Sequence, residues 1–336
     1  MIKTFPYLEI TGSNRDIGLA IGEMFRGKIQ EIIADRKHYI KKYENHIQST
    51  RAYVKEAEDV FPQYVDELRG MADGANVGFL DLFFHNTPEV YDHTLDWDRE
   101  QAQTEDHCTI AVSFTEDDVI VGHNEDWSIE SQDELFVLKS TIGSTTVLCL
   151  TYASFLMGAS ASITSHGMTQ CINELHQMSY PGVPKYFIAR AALDCPTLFE
   201  AEELIRKVKR ASGYNHVMVQ NRDVRDIELT GRSMDVEAIR DRPYVHTNHS
   251  ISEHTIPFQI TASQSSISRF NRATELVKNN MTVDEMKALL SDTKDQKFPI
   301  CRENHTIGSV VIETMKHTMH ICYGTPNNGT FVPYRL

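Results

Sequence analysis

No stretch of this chain approaches the roughly 18 consecutive apolar residues that a membrane-crossing helix needs. Its start, MIKTFPYLEITGSN, has no apolar export core and reads as a strand followed by a turn. Basic charge is scarce, with 33 Lys and Arg against 47 Asp and Glu, giving a formal net charge of −14. Phosphate backbones and anionic lipid surfaces are held by clustered cations, so neither nucleic acid nor membrane is expected as a partner. The six cysteines (Cys108, Cys149, Cys171, Cys195, Cys301 and Cys322) are scattered and form no CxxC pair. Without an export signal, that pattern fits free thiols in a cytoplasmic protein better than a disulfide framework. GxGxxG, Walker A, GxSxG and HExxH are also missing, so nucleotide-fold, serine-hydrolase and zinc-protease readings lack their local signatures.

What is present is a globular composition, 41% hydrophobic and 24% charged over 336 residues, enough to bury a large core. Residues 1–107 read as a helical segment. Ile17, Ala20, Ile21, Met24, Phe25, Ile29, Ile32 and Ile33 recur at helical spacing, and a second such face runs from about Tyr53 to Leu68. The texture changes at Cys108. CTIAVSF and DVIVGHN are β-rich runs separated by Glu116, Asp117 and Asp118, which predicts a hairpin. Further strands are expected at LFVLKST, TTVLCLTY, SASITS, MTQCIN, NHVMVQN and DIELTG, with a closing hairpin at SVVIETM and HTMHICYG. Helices are expected from Lys185 to Leu193, from Thr197 to Arg210, from Ser265 to Lys278 and after Thr282; Thr197/Glu200 and Thr282/Glu285 have capping-box spacing. Strands and helices in separate runs indicate α+β layers, with residues 108–336 as the catalytic portion of one integrated domain.

Four features could carry chemistry. Cys108 stands where the helical segment gives way to the β-segment. A cysteine at a strand start is ordinarily a buried core residue, so its surroundings decide. Asp126 in GHNEDW lies eighteen residues on, near the level of Cys108 across the hairpin, where a carboxylate could accept a hydrogen bond from an ammonium at residue 108. Asn248 in VHTNH offers an amide N–H suited to a developing oxyanion, although an Asn in a turn is the commoner case. Arg269 in SSISRFNR could pair with a carboxylate or a substrate, although a solvated helix arginine is the default.

Together these stretches resemble the acyl-coenzyme A:6-aminopenicillanic acid acyltransferase family of the N-terminal nucleophile superfamily. The resemblance is carried by GSNRDIGLAIGEMFRGKI, HCTIAVSF with GHNEDW, VHTNH, and TIGSVVIETM with CYGTPNNG, supported by GVPKYFIARAALD. It implies a four-layer αββα sandwich. It also implies that the chain cuts itself between His107 and Cys108, leaving residues 1–107 and 108–336 as associated subunits. Position by position, Cys108 matches the nucleophile, Asp126 the acid that anchors the new amino group, and Asn248 the oxyanion donor, with Arg269 as a further site residue. Asn124 occupies the place where bile-salt and penicillin V hydrolases carry an arginine; with Trp127 and His246 it is a candidate substrate contact. His107 departs from the glycine of the penicillin acyltransferase pattern.

The chemistry has a clear logic. A thiol attacks as thiolate and needs a base, and an α-amine titrating near about 7.7–8.0 suits that task. Before cleavage that nitrogen is an amide, so the uncut chain should be a zymogen. The expected activity is hydrolysis of, or acyl transfer from, a small N-acyl or aminoacyl amide through a Cys108 thioester. No metal or other cofactor is called for, although a coenzyme A thioester remains open as acyl donor and a homo-oligomer remains open as the assembly. Two competing readings are a metal-dependent amidohydrolase using His246 and His249, and an uncleaved binding module on the same scaffold.

Overall fold

The computed structural model describes residues 2–40, 43–90 and 108–336; the expected scissile residue His107 lies outside them. After strand β1 (Tyr7–Thr11) come helices α1 (Asn14–Met24), α2 (Arg26–Tyr39), α3 (Tyr43–Val60), α4 (Pro62–Ala75) and α5 (Phe79–His85). The sequence predicts one helix through Ile33 and another from Tyr53 to Leu68. Instead the chain breaks at Phe25, and at Phe61, where Pro62 starts a new helix in its first turn. Helices α1 and α4 pack almost backbone to backbone. A Cβ on Gly18 would lie 1.9 Å from the Glu67 carbonyl oxygen, and one on Gly70 would lie 2.2 Å from that of Arg15, so only glycine permits this crossing.

The remainder builds two sheets. Strands β2 (Thr109–Phe114) and β3 (Val119–Asp126) form the expected hairpin, with Thr109 opposite Asn124. Then follow β4 (Leu135–Ile142), β5 (Thr145–Tyr152), β6 (Ala161–Thr164), β7 (Met168–Glu174), helices α6 (Lys185–Ala192) and α7 (Leu198–Lys207), and β8 (Tyr214–Gln220), β9 (Asp223–Leu229), β10 (Met234–Ile239) and β11 (Tyr244–His246). Helices α8 (Gln264–Leu276) and α9 (Val283–Leu290) precede β12 (Thr306–Glu313), β13 (Thr318–Tyr323) and β14 (Phe331–Arg335). Thr282 and Glu285 make the full reciprocal cap of α9, whereas at α7 Thr197 accepts from the Glu200 N–H.

One sheet has eight strands, ordered β1-β4-β5-β6-β7-β8-β9-β10; the other has six, ordered β11-β2-β3-β12-β13-β14. Alternation along the strands sorts the apolar side chains into three layers. Phe136, Leu138, Val147 and Cys149 face Ile21, Leu68 and Phe187 of the helices on one side. Leu135, Val137, Leu148 and Leu150 meet Ile110, Val112, Val119 and Val121 between the sheets. Ala111, Ile120 and Val311 meet Ala273, Met286 and Leu290 of α8 and α9 on the other side. Helix, sheet, sheet, helix is therefore the order of layers, as the resemblance implies.

Residues 2–40 and 43–90 are integral to this stack. β1 pairs parallel with β4. Glu67 of α4 and Arg190 of α6, both fully buried, form an ion pair at 3.0 Å. The Asn86 amide donates to the Ser154 carbonyl at 2.9 Å, and the Glu89 carboxylate accepts from the Ser212 hydroxyl at 2.6 Å.

Candidate active site

The site lies at one end of the six-stranded sheet, where β2 begins, β3 ends and β11 leads into the loop carrying Asn248. Period two puts Cys108 on the same face as Ile110 and Val112, between the sheets. A working nucleophile is expected to be exposed, but Cys108 is only 4% exposed. Its surroundings are nevertheless polar. The Asp126 main chain stands close enough to the sulfur to favour its charged form, against the larger effect of burial. Cys108 Sγ, a ring nitrogen of His123 and a carboxylate oxygen of Glu125 all lie within 4.8 Å of one another. Burial pushes the thiol well above its usual range, and the Glu125 and Asp126 carboxylates push it further.

Arg269 organises the site from α8. It is fully buried, and its Nη1 donates to the Cys108 carbonyl at 2.7 Å and to Thr109 Oγ1 at 2.8 Å. Its Nη2 donates to Asn248 Oδ1 at 2.9 Å. One guanidinium thus ties the expected nucleophile to the expected oxyanion donor. It also fixes which way the Asn248 amide points, because the oxygen faces Arg269 and the NH₂ faces away. One N–H of that NH₂ donates to the Glu174 carbonyl at 3.1 Å, which leaves the second for a ligand. The Asn248 main-chain N–H donates to Ser266 Oγ at 2.8 Å, so α8 sets both the arginine and the asparagine.

The Asp126 carboxylate is held by Arg302, which no sequence pattern singles out, and by Thr306, the first residue of TIGSVVIETM. Arg302 donates from Nε at 3.2 Å and Nη2 at 3.1 Å to Oδ2, and Thr306 donates to Oδ1 at 2.5 Å. Arg302 lies 176 positions downstream in a loop with no periodicity to mark it. His123 and Glu125 are likewise absent from the expected site, although alternation in VIVGHNED could have found them: with Val119 and Val121 facing the core, residues 123 and 125 follow on the same side.

Two candidate substrate contacts need correcting. The Asn124 amide is turned away from the sulfur and donates to the Leu290 and Ile300 carbonyls at 2.9 and 3.1 Å, while its oxygen accepts from Ser309 Oγ at 2.7 Å. It locks β3 to β12 and α9. His246 sits fully buried, with Nε2 3.0 Å from Glu228 and Nδ1 2.7 Å from the Thr247 carbonyl. Burial opposes its charge, but Asp226 and Glu228 outweigh that and hold the imidazole above its usual range. Trp127 stays beside the site, edge-on to Tyr152 at 6.5 Å, and the Tyr152 hydroxyl donates to Glu125 at 2.8 Å. Among the described residues, two clusters have metal-compatible spacing, Cys108/His123/Glu125 and Asp226/Glu228/His246. Neither contains His249, the second ligand of the competing zinc reading; its Nδ1 lies 2.8 Å from Ser266 Oγ. No helix among the described residues is long and apolar enough to cross a membrane.

Residues 113–328 match the family model described as Acyl-coenzyme A:6-aminopenicillanic acid acyl-transferase. The chain belongs to this family. The matched span takes in Asp126, Asn248 and Arg269 and begins five residues after Cys108. The chain is also 25% identical over 223 residues to the Beta-alanyl-dopamine/carcinine hydrolase of Drosophila melanogaster, a match that covers 61% of this chain and 58% of that relative. Less than two thirds of the relative's length is therefore matched. A looser likeness, at a TM-score of 0.42 and 11% identity, is to a variant of conjugated bile acid hydrolase from Clostridium perfringens, covering 68% of this chain and 97% of that one.

Proposed function

We propose that this protein is a cysteine N-terminal nucleophile enzyme that cleaves small amides through a Cys108 thioester, after freeing the Cys108 amine by its own cleavage at His107–Cys108. The observation that carries this reading is the Arg269 clamp, which ties the Cys108 carbonyl and the Asn248 amide to one guanidinium. A core cysteine has no need of such a clamp, whereas a nucleophile and an oxyanion donor must share one frame.

The freed α-amine takes the thiol proton, and the thiolate attacks the amide carbonyl. The second N–H of Asn248 meets the oxyanion. The leaving amine departs with the proton held by the Cys108 ammonium, and water or a second amine takes the acyl group from sulfur. Asp126, aimed by Arg302 and Thr306, anchors the ammonium. Before cleavage the neighbouring carboxylates and the burial of the sulfur both oppose a thiolate; an ammonium in their midst offsets both. A cavity of about 290 Å³ lined by Ile129, Gln132, Glu303, Thr306 and Tyr323 opens beside Thr306, a size suited to a small amide.

The acyl group we favour is a short aminoacyl unit, in line with the fly relative's printed substrates, and hydrolysis is favoured over coenzyme A-dependent transfer. Purified protein incubated with a β-alanyl amine is the test. Release of free β-alanine without an acyl-coenzyme A supports the reading. Turnover that strictly requires an acyl-coenzyme A, with simple amides untouched, would replace hydrolysis with transfer.

A further inference from the structure

The α-amine cannot serve as base in the first reaction this chain is proposed to perform, because until the bond is cut that nitrogen is an amide. Some other group must take the Cys108 proton, and the need is acute: burial and two carboxylates hold that thiol in its protonated form. The strand register supplies a candidate. Thr109 faces Asn124, so Cys108 falls opposite Glu125, and His123 stands on the diagonal, within reach of a long side chain. All three side chains point between the sheets.

We infer that His123, oriented by Glu125, is the base that takes the Cys108 thiol proton in the uncut chain and so drives cleavage of the bond on the N-terminal side of Cys108. The inference rests on the reading of Cys108 as nucleophile. His123 Nε2 lies 2.9 Å from Glu125 Oε2, which as a carboxylate can only accept, so Nε2 carries the ring hydrogen. That leaves the lone pair on Nδ1. Nδ1 is buried and makes no hydrogen bond among the described residues, so its lone pair is open to a proton. Glu125 is in turn fixed by the Tyr152 hydroxyl at 2.8 Å. Thiol, imidazole and carboxylate within 4.8 Å make the nucleophile, base and orienting group of a catalytic triad.

The step balances with water as the only co-reactant. The thiol proton passes to His123 Nδ1 as sulfur attacks the carbonyl carbon of residue 107. The tetrahedral intermediate collapses with breakage of the C–N bond. The Cys108 nitrogen takes the proton from the imidazolium and becomes the free amine. Water hydrolyses the resulting thioester, restoring the thiol and leaving a carboxylate on residue 107.

Full-length protein followed over time by intact mass tests this. The parent should cleave before Cys108. His123→Gln should slow that cleavage by about 10²-fold or more, the usual loss of a general base, and added imidazole should restore cleavage to His123→Gly, which a merely structural histidine would not allow. Glu125→Gln should slow it about tenfold, as expected for a residue that orients the base, and Glu125→Asp should recover part of the loss. Cleavage of folded His123→Gln at the parental rate overturns the inference. If thermal melts show that His123→Gln does not fold, parental cleavage by Glu125→Gln overturns it instead. A parent that never cleaves overturns the reading beneath it.

Discussion

Two arginines, Arg190 and Arg269, are the largest fully buried side chains among the described residues, and they serve opposite ends. Arg190 is bound by carboxylates: Glu67 at 3.0 Å and Asp194 at 2.9 Å, with Asn14 donating to the same Glu67 oxygen and Tyr64 donating to Asp194. Burial pushes the Glu67 carboxyl up and Arg190 opposes that shift, so charges on α4 and α6 satisfy one another. Among the described residues, Arg269 donates to a carbonyl, to the hydroxyls of Thr109 and Ser265, and to an amide oxygen. The first arginine joins the helical segment to the sandwich. The second uses its hydrogen bonds to hold Cys108, Thr109 and Asn248 in register.

Substitutions can break that contrast. Cys108→Ala should abolish both cleavage and turnover, read by intact mass and amide hydrolysis. Asn248→Ala should lower kcat by about 10²–10³, because one oxyanion donor is lost, and the two hydrogen bonds it breaks, to Arg269 and to Glu174, should cost about 1–3 kcal/mol in denaturant titration. Arg190→Met strands two carboxylates and should cost about 3–5 kcal/mol of stability in denaturant titration, with turnover per folded molecule close to parental. If Arg190→Met instead lost activity without losing stability, the two arginines would not differ as described. Asn124→Ala removes three buried hydrogen bonds away from the sulfur and should cost about 1–3 kcal/mol without changing KM.

A titration supplies a further check. Burial pushes the His216 imidazole down to about 3 from an ordinary 6.5. The unfolded chain therefore binds that proton more readily than the folded one, and stability is full above about 6.5 and falls as pH drops towards 3. His216→Gln should flatten that acid limb in urea midpoints measured across the range.

Much of the fold was legible in local pattern. β-rich runs either side of turn residues marked β2 and β3, capping residues placed α7 and α9, and helical spacing picked out the first third. The breaks at Phe25 and Phe61 escaped because both sides of each break share one apolar face. In the site, Cys108, Asp126, Asn248 and Arg269 stand out through a resemblance to whole motifs, not through the chemistry of single residues, and the geometry joins Cys108 to Asn248 through Arg269. Asn124 and His246 went astray because each neighbours a site residue in sequence while its side chain faces elsewhere, the one towards α9 and the other towards Glu228. Arg302 was beyond reach, since only tertiary folding brings residue 302 to residue 126.

The central claim is that Cys108 acts as an N-terminal residue. Mass-spectrometric reading of the N-termini in freshly purified, active protein tests it most directly. The account requires two associated fragments, residues 1–107 and 108–336, the second beginning with an unblocked Cys108. A single intact chain of 38.3 kDa that hydrolyses amides at full rate would contradict it.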